Sequence, residues 1–174
     1  FHVAQKYPRL RRLLLIDINR DLVECYRVVK DDVDALIDVL ASYQDVFLSL
    51  PQAKRKEYYY QIREEFNREK AAEFRTETAA KLIFLNRTCF NGLYRVNRRG
   101  DFNVPFGDYT KPTICDAENL LATSRVLARA EIIHGHFTKA APYLSEKTFV
   151  YFDPPYRPIS RTASFTSYSK DAFS

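Results

Sequence analysis

The chain has 174 residues, 46% hydrophobic and 28% charged, with four Gly and eight Pro and a formal net charge of +5, enough for one domain or for one domain carrying an insertion. This balance excludes a disordered or low-complexity segment, and no apolar run reaches the roughly 20 residues of a membrane span. Cys25, Cys89 and Cys115 are odd in number and lack Cys-x-x-Cys pairing, which argues against a disulfide framework and a structural zinc site and makes a reducing cytoplasm the expected setting.

Leu13, Leu14, Leu15 and Ile16 form an apolar run ending in Asp17, the pattern of a buried parallel strand whose C-terminal end faces a site. Leu22, Tyr26, Val29, Val33, Leu36, Ile37 and Leu40 then recur at three- and four-residue steps and predict one helix reaching about Tyr43. Residues 51–88 read as mixed-charge helices, with Tyr58, Ile62 and Phe66 on one stripe and Ala79, Leu82 and Ile83 on another. Asn91-Gly92 is a turn signal that closes them.

Residues 93–97 and 102–104 flank Arg98-Arg99-Gly100-Asp101 and predict a β-hairpin with a short polar tip, closed by Pro105 and Gly107. Between Asn86 and Lys111 the cations Arg87, Arg95, Arg98, Arg99 and Lys111 face only Asp101 and Asp108, so this stretch is net positive and suits an acidic partner. Asp116 is placed to cap a helix carrying Leu120, Leu121, Val126 and Leu127. Residues 131–134 and 148–152 read as two further strands joined by a helical turn near Lys139. The expected architecture is an open, mostly parallel α/β sheet, residues 1–44 and 116–174, interrupted by a helical and hairpin insertion over residues 45–115.

The final strand runs into Asp153-Pro154-Pro155-Tyr156, where two prolines end the sheet and fix the backbone at its C-terminal edge. Such a motif suits methylation of an amine whose lone pair is delocalised into a ring. The Asp153 carboxylate and the Pro154 carbonyl can accept the amine hydrogens, Pro155 rigidifies the turn, and Tyr156 can stack on a base swung out of a duplex. A plain strand-ending turn is the alternative.

With these segments in view, the sequence resembles the Dam-type (alpha group, D12 class) DNA adenine-N6 methyltransferases over essentially its whole length. LLLIDIN is similar to the family's acidic motif, NRTCFNGLYRVNRRGDFNVPFGDY to its DNA-recognition hairpin, and FDPPYRPISRTASFTSYS to its catalytic motif and following loop. The resemblance implies a Rossmann-like S-adenosylmethionine-dependent methyltransferase acting on double-stranded DNA, with GATC as the favoured site, as a cytoplasmic monomer. It implies that Asp17 binds the ribose hydroxyls of S-adenosylmethionine, with helix capping as the alternative role, and that Ile18 packs on its adenine.

By the same resemblance Arg95 reads a guanine through O6 and N7. Phe90, Asn91 and Leu93 form a turn that enters the duplex beside a flipped base, or else Phe90 and Leu93 are hairpin core. Asn97, Pro105 and Tyr109 make further base or backbone contacts. Arg98 and Arg99 contact phosphate or simply form a solvated turn. After Tyr156, Ser160, Ser164 and Thr166 contact the flipped strand or cap turns.

The chain departs from the family where many relatives carry an acidic residue before Phe in the cofactor pocket. Here the sequence is His134-Gly135-His136-Phe137, which alters the hydrogen bond to the cofactor's adenine amine and leaves Phe137 able to stack. A His-x-His zinc pair lacks further ligands nearby, so no metal is expected. The family's N-terminal glycine-rich cofactor loop and the C-terminal part of its sheet do not occur, the chain opens without Met, and it is read as a piece of a longer protein that is inactive alone. The competing readings are an enzyme of the same fold acting on RNA adenine, DNA cytosine or a protein glutamine, and a DNA-binding module without catalysis.

Overall fold

In the computed structural model, which describes residues 6, 7 and 9–153, strand β1 (Leu13–Asp17) lies parallel to β2 (Ala130–His134). Leu13 pairs with Ala130 and Asp17 with His134, so both strands end at the same edge. Among the described residues there are five α-helices, α1 (Arg20–Asp31), α2 (Val33–Ser49), α3 (Gln52–Glu69), α4 (Thr76–Thr88) and α5 (Ala117–Leu127); α1 and α5 pack on the strand pair, and α2, α3 and α4 pack among the helices. None of the described helices is long and apolar enough to cross a membrane. The fold is α/β with a small parallel sheet.

Sequence chemistry accounts for the helix ends. Asn19 caps α1, its Oδ1 accepting the Leu22 N–H at 3.3 Å, and Asp116 caps α5 through the Asn119 N–H at 3.2 Å, as expected. The single helix expected to reach Tyr43 is instead two. The chain breaks at Asp32 (φ −145°, ψ 42°), yet the apolar period continues through the break because Val29 and Leu36 both enter the same core.

That core is aromatic, with Phe47, Tyr59, Phe66, Phe84 and Phe102 all fully buried. Tyr59, rather than the expected Tyr58, is the buried tyrosine of α3; Tyr58 is half-buried and meets Phe84 edge-on at 5.7 Å. One cluster runs from Val29 to Ala130, and α2 passes unbroken through residues 44 and 45. Buried Arg55 ties the α2–α3 corner to the loop beyond the hairpin by donating to the carbonyls of Leu48, Leu50 and Thr110.

Residues 148–152, expected as a strand, form none, and Phe149 and Tyr151 are 77% and 75% exposed. A strand requires a neighbour for its N–H and C=O groups. Among the described residues the β1–β2 pair provides no ladder for this segment.

Lys81, its side chain 8% exposed, lies 2.6 Å from Glu69 and 3.2 Å from Glu65. Burial opposes ionisation of Glu65, but hydrogen bonds from Gln61 and Lys81 outweigh it and hold the carboxyl below its ordinary value of 4.5. A lowered folded-state value stabilises the fold at pH above the unfolded value, and this contribution is lost as pH falls through the folded one. Acid titration of unfolding free energy should therefore show a loss on the order of 1 kcal/mol below about pH 4.5 that Lys81→Met removes.

Candidate functional site

The C-terminal edge of the β1–β2 pair gathers four of the expected cofactor residues. Asp17 ends β1, and its Oδ1 accepts the Asn19 N–H at 2.7 Å while its carbonyl accepts the Gly135 N–H at 2.9 Å. Helix capping belongs to Asn19, so Asp17 is not the cap of α1. Ile18, next in the chain to Asp17, and Phe137, which follows β2, are each 50% exposed. The strand ends are cross-linked by His134 Nε2, 3.1 Å from the Ile18 carbonyl.

His136 Nδ1 accepts the Thr138 N–H and lies 3.0 Å from the Thr138 hydroxyl, and its imidazole packs on Phe137 at 4.0 Å between centroids. Phe137 in turn meets Phe152 edge-on at 5.7 Å, which brings the residue preceding Asp153 to this edge. Asp153 is exposed. Pro154, Pro155 and Tyr156 lie outside the described residues, as do Ser160, Ser164 and Thr166.

The expected hairpin reverses direction but does not form a continuous ladder. Only two isolated antiparallel bridges occur there, Val96 with Phe102 and Cys89 with Phe106. The outer edge of its second arm docks on α3: the Asn67 side-chain amide bonds both the N–H and the C=O of Phe102, and Tyr59 and Arg63 donate to the Val104 carbonyl. Residues 59, 63 and 67 stand one turn apart on one helix face and substitute for a strand partner.

At the tip, Asn97 Oδ1 accepts the N–H groups of Arg99 and Asp101, leaving Arg98 and Arg99 exposed. Arg95 is exposed and is held from one side, its Nε donating to Asn103 Oδ1 at 2.7 Å and its Nη2 to the Asn103 carbonyl at 3.2 Å. Asn103 was not expected as a site residue. The register that sets it opposite Arg95 could have revealed it, because the Asn103 N–H donates to the Arg95 carbonyl.

The turn at Phe90–Gly92 places Asn91 (φ 54°) and Gly92 (φ 59°) in the left-handed region, which suits Asn and Gly. Phe90 is 51% exposed, whereas Leu93 is half-buried and packs against the core. Pro105 is exposed, and its carbonyl accepts the Phe90 N–H at 2.9 Å. A Cβ on Gly107 would lie 2.5 Å from the Cys89 carbonyl oxygen and 2.6 Å from the Tyr109 ring, so glycine is needed for this close approach. Asn91 and Tyr109 line an open groove of about 540 Å³ together with Arg87 and Lys111, cations counted in the basic stretch but not singled out as contacts.

Residues 1–174 match the family described as D12 class N6 adenine-specific DNA methyltransferase. The chain belongs to this family. It is 49% identical over 173 residues to the Type II methyltransferase M.MjaIII of Methanocaldococcus jannaschii, covering 99% of this chain and 60% of that protein. It is 38% identical to the Type II methyltransferase M1.LlaDCHI of Lactococcus lactis subsp. cremoris, over 94% of this chain and 56% of that protein. The DNA adenine methylase of Escherichia coli K12 is also 38% identical, over 93% of this chain and 55% of its own length. This D12-class chain thus spans a little over half the length of the relatives it matches.

Proposed function

We propose that this chain supplies the sequence-reading part and the catalytic edge of a DNA methyltransferase that modifies N6 of adenine in duplex DNA at GATC, with the target base turned out of the helix. The observation that carries this reading is the Phe137–Phe152 contact, which holds the residue preceding the Asp-Pro-Pro-Tyr motif against the segment that leaves β2, the strand paired with the one ending in Asp17. A carboxylate at a parallel-sheet edge, with half-exposed Ile18 beside it in sequence and half-exposed Phe137 just after the paired strand, fits a nucleoside, whose ribose needs an acceptor and whose base needs an apolar face.

S-adenosylmethionine, when bound, supplies an electrophilic methyl group. Asp17 would hold its ribose, Ile18 and Phe137 its adenine, and His136, whose Nδ1 accepts from Thr138, would present a donor from Nε2 where relatives present a carboxylate. Asp153 accepts a hydrogen of the target amine, as does the Pro154 carbonyl, concentrating the lone pair on nitrogen, and Tyr156 stacks on the extruded base. In the recognition part, over residues 45–115, Arg95 reads guanine, and Phe90, Asn91 and Leu93 fill the space beside the flipped base. Asn97, Pro105 and Tyr109 contact bases or backbone, and Arg98 and Arg99 contact phosphate.

The test is transfer of labelled methyl from S-adenosylmethionine by the full-length protein to duplexes with and without GATC. Labelling confined to GATC duplexes is expected. Equal labelling of both would sink the site assignment, and labelling of neither would sink the activity.

A further inference from the structure

The hairpin tip and the first turn of α1 are joined by a buried ionic cluster that the proposed chemistry does not use. Asp21 Oδ2 accepts from Lys70 Nζ at 2.6 Å and from the Tyr94 hydroxyl at 2.8 Å. Lys70 Nζ also donates to the Gly100 carbonyl at 2.6 Å and sits 5.2 Å from the Phe66 ring centroid. The Asp21 and Lys70 side chains are only 12% and 11% exposed. Burial, and then the charge of Asp21, push the Tyr94 hydroxyl up from its ordinary value, so it stays protonated and donates.

The other end of the cluster reaches the proposed cofactor edge. The Asp17 carboxylate holds the Asn19 N–H, Asn19 caps α1, and Asp21 lies in the first turn of that helix. The capped first turn of α1 therefore links two bonded sets, Asp17 with Asn19 on one side and Asp21 with Lys70, Tyr94 and, through Lys70, Gly100 of the hairpin on the other. A buried ion pair is weak evidence for stability, since apolar replacements often serve as well. In a low-dielectric interior, however, such a network tolerates little misalignment, so it fixes the relative positions of the elements it joins.

We propose that Asp21, Lys70 and Tyr94 form a positioning cluster that couples occupancy of the Asp17–Ile18 edge to the arrangement of the recognition hairpin. This rests on the reading that the edge takes S-adenosylmethionine and the hairpin takes duplex DNA. The coupling must be reciprocal, each ligand changing the other's affinity by one common factor.

The experiment measures, with the full-length protein, the Kd of S-adenosylhomocysteine with and without a GATC duplex, and the Kd of the duplex with and without S-adenosylhomocysteine. The unaltered protein should give the same factor both ways, about 5–150-fold. Tyr94→Phe removes one hydroxyl and keeps the ring that packs on Phe102 at 5.8 Å. It should leave each ligand's separate affinity close to that of the unaltered protein and bring the factor towards 1 in both directions. An unchanged factor in Tyr94→Phe, with or without weaker separate affinities, overturns the proposal, as does a factor of 1 in the unaltered protein. An unaltered protein that binds neither ligand would instead overturn the reading beneath it.

Discussion

Replacing Asp153 by Ala in the full-length protein is expected to lower methyl transfer by about 10²–10⁴-fold while duplex binding is retained. The adenine amine is a weak nucleophile because its lone pair is shared with the ring, and the carboxylate acts only as that pair localises on nitrogen. Its loss should therefore appear in kcat far more than in KM for DNA. Asp153→Asn keeps the shape and one acceptor oxygen but removes the charge, so it should fall between the two. Single-turnover transfer of labelled methyl, beside a DNA-binding titration, separates chemistry from binding. A fully active Asp153→Ala protein would overturn the amine-acceptor role. Asp153 follows the Phe152 that packs on Phe137, so the variant acts at the edge that also carries Asp17 and Ile18.

Features written in short stretches of sequence were legible before the structure. The apolar run ending in Asp17, the cap at Asp116 and the Asn91-Gly92 turn are local chemistry, whereas the cap of α1 is Asn19, which was not singled out, and not Asp17, for which capping was one option. The break at Asp32 was hidden because helices on both sides feed one core, which preserves the apolar period across the interruption. Residues 148–152 carry an intact strand pattern and still form no strand, since pairing depends on a neighbour that pattern alone cannot supply. The hairpin was legible in its register, with Val96 opposite Phe102, but its docking on α3 was not: Asn67 and Tyr59, more than 30 residues distant, satisfy the outward-facing backbone of its second arm. The Asp21–Lys70–Tyr94 cluster, spread over three segments, left no local signal at all.

Arg95→Ala should cost about 1–3 kcal/mol of discrimination at one guanine of the recognition site, with a smaller change in binding to unrelated duplexes. The argument is geometric. Asn103 engages the Nε and Nη2 positions of the guanidinium, so a paired contact to guanine O6 and N7 would use the edge formed by Nη1 and Nη2. Asn103 thereby aims the fork, and Asn103→Ala should lose part of the same discrimination without removing any charge. Arg95→Lys should not restore it, because a single ammonium cannot make the paired contact. Kd values for GATC duplexes and for duplexes with that guanine replaced, at several salt concentrations, distinguish this role from phosphate binding. If Arg95→Ala instead weakened all duplexes alike and reduced the salt slope by about one counterion, Arg95 would be a backbone contact and the guanine assignment would fall.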